Sequence, residues 1–121
     1  QMIEAGLAPK KAKVIILGIT FKENCPDIRN TKVVDIYHTL SEYTKNISVF
    51  DPCADAEKVR TEYGIALNDD VETSSYDAVI LAVAHKQFLN LKLRDFLSDK
   101  ANGVVYDVKC VMPREDVDGR L

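Results

Sequence analysis

Two short runs of apolar residues constrain this chain more than anything else in it. Val14-Ile15-Ile16-Leu17 and Ala78-Val79-Ile80-Leu81-Ala82-Val83 carry no polar residue on either face. They are too short for buried helices, and a half-exposed strand would alternate polar with apolar positions. Strands buried on both faces belong to parallel sheets covered by helices on each side. Between the two runs the spacing supplies such helices. Asn30 and Thr31 are N-cap residue types, and Val33, Ile36, Tyr37, Leu40 and Tyr43 fall on one helical stripe. Residues 54–63 form a second helix by propensity, stopped by Gly64. Further strands are expected at 47–50, 65–67 and 104–106, and helical pieces over 86–97. The tail from 112 to 121 is expected as a short helix or a loose end. The expected fold is a three-layer α/β/α sandwich around a five-stranded parallel sheet.

Composition limits the function. A chain of 121 residues supports one domain. Its net charge of −3 lacks the basic excess of a nucleic-acid binder. No apolar stretch is long enough to span a bilayer, and the N-terminus has no signal-peptide core. The three cysteines, Cys25, Cys53 and Cys110, contain no C-x-x-C pair, which fits reduced cytosolic thiols.

Right-handed crossovers place every strand's C-terminal end on one edge of the sheet. Ligands bind there, where the strand order reverses. With the first three strands wound one way and the last two the other, the reversal falls between the first and fourth expected strands. The segments to watch are then 18–29, 84–87 and 107–109. They hold Lys22, Arg29, Lys86 and Lys109, a cationic edge on an acidic chain, suited to an anionic ligand such as phosphate. Phe21 either tucks into the core or offers a flat face to a base or sugar.

Several chemistries fit less well. A dinucleotide fingerprint needs G-x-G-x-x-G after the first strand, whereas the loop Gly18-Ile19-Thr20-Phe21-Lys22-Glu23 has one glycine. Asp51-Pro52 reads as a strand stop and helix cap. A phosphorylatable receiver domain lacks its acidic pair after the first strand and its Asp after the third. A thiol or metal site from Cys25, Cys53, His85 and Cys110 shares the edge, but no spacing selects it. His38 reads as a surface or packing histidine.

The segment G-I-T-F-K-E-N-C-P-D-I-R-N-T from Gly18 to Thr31 resembles the C-terminal domain of the UDP-glucose/GDP-mannose dehydrogenase family. V-F-D-P at 49–52, Y-D-A-V-I-L-A-V-A-H at 76–85 and Y-D-V-K at 106–109 agree in order. The wording is most similar to the branch that oxidises UDP-N-acetylhexosamines for capsule or O-antigen synthesis.

The resemblance implies a Rossmann-like fold and a three-part enzyme. An N-terminal domain holds NAD, a helical centre dimerises, and this domain (13–121, after a 1–12 linker) binds the UDP-sugar. Phe21 and Lys22 match the family's substrate-contacting Phe-Lys pair. Arg29 matches an Arg that reaches NAD across the interdomain cleft. Lys109 takes the last place of a D-G-R element, here Asp107-Val108-Lys109, where lysine keeps the charge and loses the bidentate fork. No cysteine here matches the family's catalytic thiol. The family's reaction is two successive NAD-dependent oxidations at the sugar C6, through a thiohemiacetal and a thioester. The resemblance therefore implies a cytoplasmic enzyme of which this piece alone is inactive. The rival readings are a stand-alone nucleotide-binding or regulatory module and a thiol or metal enzyme.

Overall fold

A computed structural model describes residues 12–21, 23–29, 31–89, 91–98, 103–107 and 119–120. The elements run β1 (Lys13–Leu17), α1 (Val33–Ser41), β2 (Asn46–Phe50), α2 (Ala56–Tyr63), β3 (Ala78–Leu81), α3 (Lys86–Leu89), a 3₁₀ turn (Leu93–Phe96), β4 (Val104–Asp107) and β5 (Gly119–Arg120). The sheet order is β2-β1-β3-β4-β5, with every pair parallel. The reversal of winding falls between β1 and β3, the first and fourth strands expected from the sequence.

The sheet is buried on both faces because its central strands are apolar on both. Ile15 and Leu17 join Val79, Leu81, Val105, Phe88, Leu93 and Phe96 in one core layer. Ile16 points the other way, with Val49, onto Val33 and Val34 of α1 and Val59 of α2. The split follows from the twofold side-chain period of a strand. Each fully buried Ile or Leu contributes about 1.5–3 kcal/mol, and β1 supplies Ile15, Ile16 and Leu17, all fully excluded from solvent.

Two expectations about the sheet need correction. Residues 65–67 are not a strand, so the body of the sheet has four strands rather than five. Ile65 is buried in the α1/α2 layer, and the segment reaches β2 through the Asn68 amide, which donates to the Val49 carbonyl at 2.7 Å. Burial of Ile65 holds the segment instead of a ladder. The last place in the order is the two-residue β5, in a tail expected to be helical or loose.

The helices are shorter than expected. In α1, Thr31 Oγ1 accepts from the Val33 amide at 3.2 Å, and Tyr43 lies beyond the helix, 49% exposed. Asp55 caps α2 by accepting from the amides of Glu57 and Lys58, and Gly64 closes it with φ of 69°. The expected 86–97 helix is two pieces, α3 and the 3₁₀ turn.

β1 ends at Gly18, which has φ of 97°. A Cβ there would stand 2.5 Å from the Val83 Cβ. The bare glycine lets the end of β3 fold over β1, and the Ala82 and Val83 amides both donate to the Leu17 carbonyl. Gly18→Ala is therefore expected to lose about 3 kcal/mol, from backbone strain and overpacking together. Urea denaturation of the chain measures this, and an unchanged midpoint would contradict the packing described.

Candidate functional site

Three chain segments meet where β1, β2 and β3 end. Asp51 follows β2, and its side chain is fully excluded from solvent. Its Oδ2 accepts from the Ile19 amide at 2.7 Å, the Thr20 amide at 3.1 Å and His85 Nε2 at 2.9 Å. Its Oδ1 accepts from the amides of Cys53 at 2.7 Å and Ala54 at 3.1 Å. Burial works to raise the Asp51 pKa. The hydrogen bonds from His85, Ile19 and Cys53 outweigh it, and the carboxyl is held below its ordinary range.

His85, also fully buried, has a defined tautomer. The Asn24 amide donates to its Nδ1 at 2.9 Å, and a backbone N–H can only donate. Nδ1 is therefore the bare nitrogen and Nε2 carries the hydrogen toward Asp51, with Thr20 Oγ1 3.1 Å away. Phe88 packs against the ring, centroids 5.7 Å apart.

These contacts fix the loop after β1 at both ends. Thr20 is held by Asp51. Asn24 is held by His85 and by its own Oδ1, which accepts from the Lys86 amide at 2.8 Å. Asn24 sits at φ of 58°, an uncommon place for a residue with a Cβ. The Phe21 amide donates to the Asp27 carbonyl at 2.6 Å and closes the outer part of the loop.

Ligand atoms of Asp51, Cys53 and His85 lie within 4.8 Å of one another, a spacing a metal ion could use. The donor inventory argues against that use. Both Asp51 oxygens already accept N–H groups, and the His85 nitrogen facing Asp51 carries a hydrogen. Burial, then the Asp51 charge, push the Cys53 thiol up, away from the thiolate a metal or a nucleophile needs. The cluster is a hydrogen-bonded staple between loops.

The residues singled out in the sequence fall as follows. Phe21 stands 53% exposed on the loop rather than in the core. The Arg29 side chain is 84% exposed and forks onto Asp27, with Nε and a terminal nitrogen each 3.1 Å from a carboxylate oxygen. That pairing, through its hydrogen bond and then its charge, raises the Arg29 pKa. Lys86 is exposed at the start of α3. Lys22, Lys109 and Cys110 lie outside the described residues. Asp51 stops β2 as expected, but Asp55 is the α2 cap, and the Asp51–His85 pair went unforeseen. An acid closing β2 and a histidine closing β3 were its visible signal. A cleft of about 890 Å³ lies beside the site, between residues 26–29 and α2. Its walls mix Arg29 and Lys58 with Asp27, Glu57 and Glu62.

Comparison with known proteins supplies the family and the fold. The family model described as "UDP-glucose/GDP-mannose dehydrogenase family, UDP binding domain" matches residues 15–114. A UDP-N-acetyl-D-glucosamine 6-dehydrogenase of Salmonella typhi is 48% identical over 99% of the chain and 28% of its own length. One from Pseudomonas aeruginosa is 46% identical over 91% of the chain and 26% of its own length. The chain thus spans about a quarter of these relatives. Among solved structures, an NDP-N-acetyl-D-galactosaminuronic acid dehydrogenase from Methanosarcina mazei Go1 shares the fold. Its TM-score is 0.81 at 22% identity, over 98% of this chain and 26% of that one.

Asp51→Asn must turn an amide NH₂ toward N–H donors whichever way it is oriented, and is expected to cost about 3 kcal/mol at neutral pH. The native carboxyl titrates below its unfolded value, so its stabilisation is present above the unfolded value and fades as pH falls through the native one. The stability gap between wild type and variant, followed by urea melts, should shrink below about pH 4. A gap that stays constant into acid would refute the charged staple.

Proposed function

The chain belongs to the UDP-glucose/GDP-mannose dehydrogenase family, as its UDP binding domain, and we propose that it holds the UDP end of a UDP-N-acetylhexosamine for an NAD-dependent 6-dehydrogenase. The observation that carries this reading is the loop after β1. It stands at the β1/β3 reversal, is pinned from beneath by Asp51 and His85, and turns Phe21 outward. An aromatic side chain held half out of the core is a stacking face for a base or sugar. Lys22, next in sequence, and Lys109 would supply charge to the diphosphate.

In this reading the domain contributes binding energy and orientation, and the oxidation of the C6 alcohol to a carboxylate happens upstream. The described residues do not form a dinucleotide cradle. The space a Cβ would fill at Gly18 is occupied by Val83, not open to a phosphate. NAD is accordingly assigned to an N-terminal domain, with Arg29 reaching toward it from this side of the cleft. Residues 1–12 would link this domain to a central dimerising part of a cytoplasmic homodimer serving capsule or O-antigen synthesis. No helix among the described residues is long and apolar enough to cross a membrane. The 48% identity to a UDP-N-acetyl-D-glucosamine 6-dehydrogenase favours that hexosamine class of substrate.

Three measurements test the assignment. The 121-residue chain alone, given NAD and UDP-N-acetylglucosamine or UDP-N-acetylgalactosamine, is expected to produce no NADH, and turnover would overturn the division of labour. In the full-length protein, Lys22→Ala should weaken UDP binding by about ten- to a hundredfold in calorimetry. Unchanged affinity would remove Lys22 from the site. Arg29→Ala should raise KM for NAD while KM for the UDP-sugar holds, and the opposite pattern would place Arg29 on the substrate.

A further inference from the structure

The geometry points to His85 as a positioning residue for UDP-sugar binding, acting through the backbone of Asn24. This rests on the assignment of the β1 loop to the UDP site. His85 is out of reach of any ligand, since its side chain is fully buried and both ring nitrogens are engaged. Its effect passes through the loop it supports. Phe21 and Lys22 lie in sequence between two anchored residues, Thr20 and Asn24. Thr20 is tied to Asp51 by its amide at 3.1 Å. Asn24 is tied to His85 Nδ1 by its amide at 2.9 Å, and to the Lys86 amide by its side chain at 2.8 Å.

The Asn24 anchor does more than add contacts. At φ of 58° the residue stands in the left-handed region, which asparagine takes more readily than other residues with a Cβ but which is still a minority conformation of a free chain. A loop freed from His85 would relax toward negative φ and carry its neighbours with it. The acceptor at Nδ1 is therefore what keeps the amide pointing inward and the loop shaped for its ligand. The donor at Nε2 does a separate job, joining β3 to Asp51.

The two nitrogens can be separated by substitution. An asparagine at 85 places an amide oxygen where Nδ1 stands, whereas a glutamine places an amide nitrogen where Nε2 stands. In the full-length protein, His85→Gln keeps the bond to Asp51 and loses the support beneath Asn24. Its Kd for UDP in calorimetry and its KM for UDP-N-acetylglucosamine should rise about tenfold. Its kcat should stay within about twofold, and KM for NAD should not move. His85→Asn should restore UDP affinity to within about threefold of wild type. Equal losses in the two variants would mean that His85 is merely structural. Asn24 is exposed, so Asn24→Gly keeps the core, the amide bonded to His85 and the positive φ while removing the side-chain tie to Lys86, and decides the matter if His85→Gln does not fold. It should keep UDP affinity within about threefold of wild type, and a tenfold loss would mean that the Asn24 side chain, not His85, holds the loop. Failure of the unsubstituted protein to bind UDP would overturn the functional reading and this inference together. Normal UDP binding by His85→Gln, or a tenfold loss in Asn24→Gly, would overturn this inference alone.

Discussion

The Asp51 carboxylate is the constraint on which the upper edge of this domain depends. It receives five N–H groups from three places: the loop after β1, the turn after β2 and the histidine after β3. Strand ladders hold β1, β2 and β3 side by side but say nothing about how the chain leaves them. A buried carboxylate is costly unless fully bonded. Here every part of its bonding capacity faces a donor, so the charge is tolerable and the three exits become one unit. Gly18 makes this possible, because only a residue without Cβ lets Val83 lie close enough for β3 to end above β1.

This arrangement explains why His85 and Cys53 are poorly suited to act as base and nucleophile. The His85 lone pair accepts from Asn24, its other nitrogen donates to Asp51, and the Cys53 thiol is pushed away from ionisation by burial and by that same carboxylate. Groups that could do chemistry elsewhere are consumed here in holding shape. A domain built this way can grip and orient a ligand, which is what a UDP binding domain in a larger dehydrogenase requires.

Much of the fold was legible because it rests on local patterns. Runs free of polar residues specified β1 and β3, and Gly64 and Asp55 have fixed meanings at helix ends. Residues 65–67 misled because three apolar residues read the same whether they pair in a ladder or simply bury Ile65. The position of the winding reversal followed from chain order and crossover handedness. The staple did not, because Asp51 and His85 are 34 residues apart and meet only once β1 has been threaded between β2 and β3. Phe21 was ambiguous for a related reason. An aromatic in a polar loop packs inward unless something holds the loop out, and that support comes from Asp51 and His85.

The domain thus places its buried polar groups beneath the loop after β1. A loop that had to order itself around UDP would lose binding energy to its own lost freedom. A loop already fixed at Thr20 and Asn24, with Phe21 turned outward, avoids that loss. Rigidity matters more for this domain than for most binding modules. If the reacting carbon is processed on another domain, any looseness in the grip on the nucleotide is carried along the whole substrate to the sugar C6. The buried charge of Asp51 thus fixes the backbone of the loop after β1, and under the proposed function that backbone decides where a nucleotide would be held.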